Sequence, residues 1–73
     1  MGDRARRLTA REVIAILRRH GFALVGTRGS HQKWRNPRTR RQVIVADHRG
    51  RDLPIGTFRA IQKGSGIPED EWK

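Results

Sequence analysis

Cysteine is absent from the 73 residues, which removes disulfides, thiolate chemistry and any cysteine-based zinc site in one step. Acidic residues are scarce, seven against 17 Lys and Arg, and the three histidines, His20, His31 and His48, are not spaced as a metal motif. No intrinsic metal site and no small-molecule cofactor are therefore expected. No apolar run approaches the ~20 residues of a membrane span, and the start Met1-Gly2-Asp3-Arg4 lacks the apolar core of a signal peptide. Asp3, Arg4, Ala5 and Arg6 also fail the Ser/Thr requirement that would follow Met1-Gly2 in a myristoylation signal. These absences point to a cytoplasmic chain with no membrane partner.

What is present in quantity is positive charge. The formal net charge is +10, and nearly all the cations are arginine, whose planar fork suits bidentate phosphate contacts and stacking on bases. Nucleic acid is the first partner this composition suggests. The length allows one small domain, near the size where a chain buries only roughly 60% of its unfolded surface, so there is room for one thin core.

Residues 1–8 are short, basic and unpatterned, and read as a flexible arm ahead of a single domain over 9–73. Thr9 and Glu12 stand in capping-box spacing and open a helix. Val13, Ile14, Ile16 and Leu17 form its apolar stripe, and Arg18 and Arg19 complement the macrodipole at its end. His20 belongs to that end and Gly21 is the cap glycine, so His20 reads as structural. Phe22–Thr27 is expected as the first strand, with Phe22 and Leu24 facing the helix. Arg28-Gly29-Ser30 turns the chain into a second strand, and Asn36-Pro37-Arg38-Thr39 turns it again into a third at Gln42–Ala46. A polar connection, Asp47 to Asp52, leads through Leu53-Pro54 to a second helix with Ile55, Phe58 and Ile61 along one edge. Gly64-Ser65-Gly66 stops that helix, and residues 67–72 form a last helical turn with Trp72 capping the core. The order is helix, three antiparallel strands, helix: an α+β two-layer sandwich with both helices on one sheet face and the other face open. Double-stranded RNA-binding domains share that order and read RNA by shape and by phosphate and 2′-hydroxyl contacts.

The chemistry concentrates in Gly29-Ser30-His31-Gln32-Lys33-Trp34-Arg35. Alternation along a strand puts His31, Lys33 and Arg35 on one face and Gln32 and Trp34 on the other, so one face is cationic and the other can bury a ring. Gly29 and Ser30 offer turn N–H groups to a phosphate. Arg38, Arg40 and Arg41 crown the second turn, either as a solvated tip or as further phosphate contacts.

Gly21-Phe22, the Gly29-Ser30-His31 turn, His48 before the second helix, and Gly56-Thr57-Phe58-Arg59-Ala60-Ile61 together resemble the HicA toxin family, also called YcfA-like, over about residues 9 to 72. The resemblance implies a double-stranded-RNA-binding-like fold, a ribosome-independent mRNA endonuclease that inhibits translation and growth, and a neutralising HicB antitoxin. It carries the catalytic histidine to His31. Many relatives place a second histidine directly after it, where this chain has Gln32, and often a proline where it has Ala46.

RNA can be cut without metal when the adjacent 2′-hydroxyl attacks phosphorus. That step needs a base, an acid and cations for the phosphorane charge. Histidine suits the proton transfers, which typically contribute 10²–10⁴-fold. Lys33 and Arg35 supply charge on the same predicted face, and His48 is the candidate second acid or base. The composition alone also fits a non-catalytic double-stranded-RNA-binding module, or an interaction subunit whose basic face an acidic partner covers.

Overall fold

A computed structural model describes residues 8–47 and 49–72. The chain runs α1 (Ala10–Arg19), β1 (Ala23–Arg28), β2 (His31–Arg35), β3 (Gln42–Ala46), α2 (Ile55–Ser65) and a closing 3₁₀ turn (Glu69–Trp72). This is the expected α+β order.

The start of α1 follows from its capping box. Thr9 is extended, its Oγ1 accepts from the Glu12 N–H at 3.2 Å, and the Thr9 N–H donates to Glu12 Oε1 at 2.9 Å; two backbone donors left over at the helix start are thereby satisfied. The end is equally well defined. The Gly21 N–H donates to Arg18 O at 3.1 Å and the Phe22 N–H to Leu17 O at 3.0 Å, with Gly21 at φ 91°, which is the paired bonding of a Schellman motif. His20 is the C-cap, and its Nε2 lies 3.5 Å from Glu71 Oε1.

The sheet order is β1-β2-β3, antiparallel throughout. Trp34 faces Val43 and Gln32 faces Val45 across β2 and β3, and Trp34, Val43 and Val45 are all buried beneath the helices. Gly64 explains how close α2 comes: a Cβ there would lie 3.2 Å from Val43 Cγ1, tighter than a close-packed interior accepts without displacement. The core is completed by Val13, Ile16 and Leu17 of α1, Phe58 and Ile61 of α2, and Trp72. Trp72 meets Phe58 edge-on at 5.7 Å between ring centres and donates its Nε1–H to Ile67 O at 3.3 Å, so its polar tip is satisfied inside the core.

Three expectations change. Leu8, assigned to the arm, is 2% exposed, its carbonyl accepts from the Leu53 N–H at 2.9 Å, and Thr9 bridges Asp52, so the domain begins at least one residue earlier than 9; residues 1–7 of the arm lie outside the described residues. Leu24 lies on the helix side of the sheet, paired with the buried Trp34, but it is left uncovered. The first strand is Ala23–Arg28, every residue of it is exposed, and Leu24 retains 46% of its surface. The physical reason is that α2 packs on β3 while a bulge between Leu24 and Gly26 shifts the register of β1, leaving that strand at the far, uncovered edge. Ile55, at the first residue of α2, is likewise 39% exposed, whereas Phe58 and Ile61 further along the helix are buried.

Asn36 ties the hairpin to the helix layer. It is 7% exposed, its Nδ2 donates to His20 O at 3.0 Å and its Oδ1 accepts from the Arg38 N–H at 2.9 Å. Its backbone also closes the turn, with the Asn36 N–H on Arg41 O at 2.9 Å and the Arg40 N–H on Asn36 O at 2.7 Å. Asn36→Asp, which keeps the acceptor for Arg38 but loses the donor to the helix carbonyl, is expected to lower stability by about 1–3 kcal/mol, with Asn36→Ala lower still. Urea denaturation measures both; a loss under about 0.5 kcal/mol for the alanine variant would show that this side chain is no tether.

Candidate functional site

The burial of Trp34 fixes what the opposite face presents. Its ring is 2% exposed, its Nε1–H donates to Gln32 Oε1 at 3.1 Å, and the Arg18 guanidinium lies 5.2 Å from the ring centre, within cation–π range. Gln32 is thereby held on the helix side of the sheet, away from the open face. Gln32 thus serves as the hydrogen-bond acceptor for the indole.

On the open face, His31 and Lys33 are exposed and Arg35 is half-buried. The two-residue turn Gly29-Ser30, with Gly29 at φ 59°, is of the kind that needs glycine first, and it pairs Arg28 directly opposite His31. Cross-strand neighbours of this sort have Cβ atoms about 4.5–5.5 Å apart. The next row pairs Gly26, Lys33 and Ile44. Gly26 has nothing within 4 Å of where a Cβ would stand, so a gap opens beside Lys33. The result is an open groove of about 500 Å³ lined by Gly26, Thr27, Arg28, His31, Lys33 and Ile44. A phosphodiester entering it would meet an imidazole between an arginine and a lysine, over a small apolar patch.

The expected site residues are only partly brought together. Gly29, Ser30, His31 and Lys33 cluster at the turn end of β2, and the Asp47 N–H on Ser30 O at 3.0 Å pins that end to β3. Arg35 shares the face but stands four residues along the strand from His31, about 13 Å. Arg38, Arg40 and Arg41 sit beyond it at the opposite end of the hairpin, Arg40 with φ 66° and Arg41 with its side chain against Gly66, so they do not reach a phosphate held at His31. His48 lies outside the described residues. Arg28 and Gly26 were missed by reading Arg28 as part of the turn. The signal was available: a two-residue loop at Gly29-Ser30 forces positions 28 and 31 to face each other. Among the described residues no three His, Asp or Glu side chains cluster as a metal site would require, and no helix is long and apolar enough to cross a membrane.

A family model described as the HicA toxin of bacterial toxin-antitoxin systems matches residues 10–67, which takes in α1, the whole sheet and α2. None of the curated proteins compared matches the chain.

The groove itself is testable through its empty corner. Gly26→Val places a branched side chain opposite Lys33 without touching the core, and is expected to change stability by no more than about 1 kcal/mol while weakening RNA binding severalfold. Thermal melts and fluorescence anisotropy on one preparation read both quantities; unchanged RNA affinity would move the binding site elsewhere.

Proposed function

The chain belongs to the HicA toxin family, and from that premise we propose that it is an mRNA endoribonuclease in which His31 is the catalytic base and a HicB-type antitoxin covers the open face. The observation that carries this reading is the exposed imidazole of His31 flanked by Arg28 and Lys33 in a groove open to a polymer.

In the proposed reaction the imidazole of His31 takes the proton of the 2′-hydroxyl beside the scissile phosphate. The 2′ oxygen attacks phosphorus, the bond from phosphorus to the 5′ oxygen breaks, and water at this open site protonates the departing oxygen. Arg28 and Lys33 face the charge that builds on the phosphorane oxygens, where fixed cations act with little reorganisation. Arg35 and the arginines of the distal turn are assigned to the flanking backbone, contacts that position without reading sequence. The proposed steps use side chains of this chain, the RNA's own 2′-hydroxyl and water, so cleavage is expected to persist in a chelator.

A toxin-antitoxin family implies a partner that silences the toxin. A surface with formal net charge +10 favours capture by an acidic protein, because opposite charge raises association rates. Covering the His31 groove would block the substrate without any change in the toxin's fold.

His31→Ala tests the assignment. It is expected to lower RNA cleavage by at least about 10²-fold and to relieve growth inhibition, while stability changes by no more than about 0.5 kcal/mol because the side chain is exposed. Cleavage in EDTA, thermal melting and antitoxin pull-down on the same variant separate chemistry from folding. Wild-type cleavage by a folded His31→Ala protein would overturn the catalytic role, and tight RNA binding with no cutting by the wild type would favour a plain RNA-binding module.

A further inference from the structure

A second groove is larger than the one at His31. It has a volume of about 1050 Å³ and runs between α1 and the loop after β3, lined among others by Arg11, Ile14, Ala15, Arg18, Asp47 and Arg49. We infer that this groove is a second RNA-backbone site, which carries the strand on one side of the linkage held at His31; the inference rests on the endoribonuclease reading above.

Three observations carry it. Arg11, Arg18 and Arg49 are all exposed, and the groove's lining holds these three arginines against one carboxylate, that of Asp47, whose Oδ1 accepts the backbone N–H of Arg49 at 2.9 Å. Arg18 is not a free-swinging charge, since it lies 5.2 Å over the buried Trp34 ring and so holds its charge in one place. The third observation is continuity. Asp47 donates its N–H to Ser30 O at 3.0 Å, and the preceding residue, Ala46, pairs with His31. The rim of the α1 groove is therefore joined through the backbone to the turn beside the His31 groove, so a strand leaving His31 over Ser30 and rounding that end of the sheet would meet it. Ile14 and Ala15 give the floor an apolar strip between the arginines, which suits ribose and base edges better than it suits a purely acidic peptide.

The test uses a fluorescein-labelled single-stranded RNA of about ten nucleotides, which at ~3.4 Å per nucleotide outreaches the 26 Å middle extent of the molecule. Binding is measured over a salt series in the His31→Ala background, so that RNA stays intact. Arg11→Gln with Arg49→Gln is compared with Arg59→Gln with Lys63→Gln, an equal charge loss on α2. Arg18 is left alone because its loss would also disturb Trp34. The groove variant is expected to bind about tenfold more weakly and to lose about 1.4 from the slope of log affinity against log salt, at ~0.7 per phosphate contact. The α2 variant is expected to lose less than half of each. Single variants, each lowering the slope by about 0.7, support the same site.

Equal losses in the two double variants would reduce the effect to overall charge and overturn the site. Unchanged RNA binding with lost antitoxin binding would overturn it in favour of a protein-docking groove. If the His31→Ala background still cuts RNA, the catalytic assignment fails on the same gel, whereas the affinities on intact RNA at short times still decide the groove.

Discussion

The burial of one indole on β2 sets the rest of the arrangement. Side chains along a strand alternate, so a strand that must bury Trp34 against Val43 and between the helices has no choice about its neighbours: His31, Lys33 and Arg35 point away. A one-residue slip would put the ring in water and the imidazole in the core. The cost of such a slip, several kcal/mol for exposing an aromatic and burying charge, is what makes the functional face reliable. Arg18 and Gln32 reinforce the same point from the helix side, one over the ring and one on its N–H.

Core and candidate site thereby lie on separate faces. The residues that hold the domain together, Leu17, Leu53, Val13 and Val45 among them, are fully buried, whereas His31, Lys33 and Arg28 are exposed and contribute little to packing. A domain this small has little stability to lose, so placing the proposed reactive groups on a surface strand spares it the cost of burying an ionisable group. Among the described residues nothing covers the candidate site, which suits silencing by a second protein in a toxin-antitoxin family. The edge strand β1 is also uncovered, with Val25 55% exposed.

Much of this was legible in the residues because local chemistry and global packing agree. Thr9 with Glu12, Gly21 after the last turn, the β-branched run at Val43 to Val45, and Gly66 after α2 each mark a boundary that the tertiary structure keeps. What was illegible depends on contacts far apart in the chain. Leu8 looks like the end of a polar arm until Leu53 is brought against it. Leu24 looks like a core residue until the position of α2 over β3 and the bulge before Gly26 leave it uncovered. Asn36 reads as an ordinary turn residue, because its bond to His20 O spans sixteen positions. The cationic tip at Arg38, Arg40 and Arg41 was grouped with His31 by composition, and only the strand's length separates them. Arg28 was hidden by a boundary drawn one residue too early.

The central claim is that this face cuts RNA by internal attack of the 2′-hydroxyl, with the imidazole of His31 as base. Analysis of the ends left on a cleaved RNA tests it most directly, using mass spectrometry of the fragments from an all-ribose substrate and from one carrying a single deoxynucleotide on the 5′ side of the cleaved linkage. The account predicts a 2′,3′-cyclic phosphate, or the 3′-phosphate it hydrolyses to, on one fragment and a 5′-hydroxyl on the other, with no cleavage at the deoxy position. Fragments ending in 3′-hydroxyl and 5′-phosphate, or undiminished cutting beside the deoxynucleotide, would contradict it.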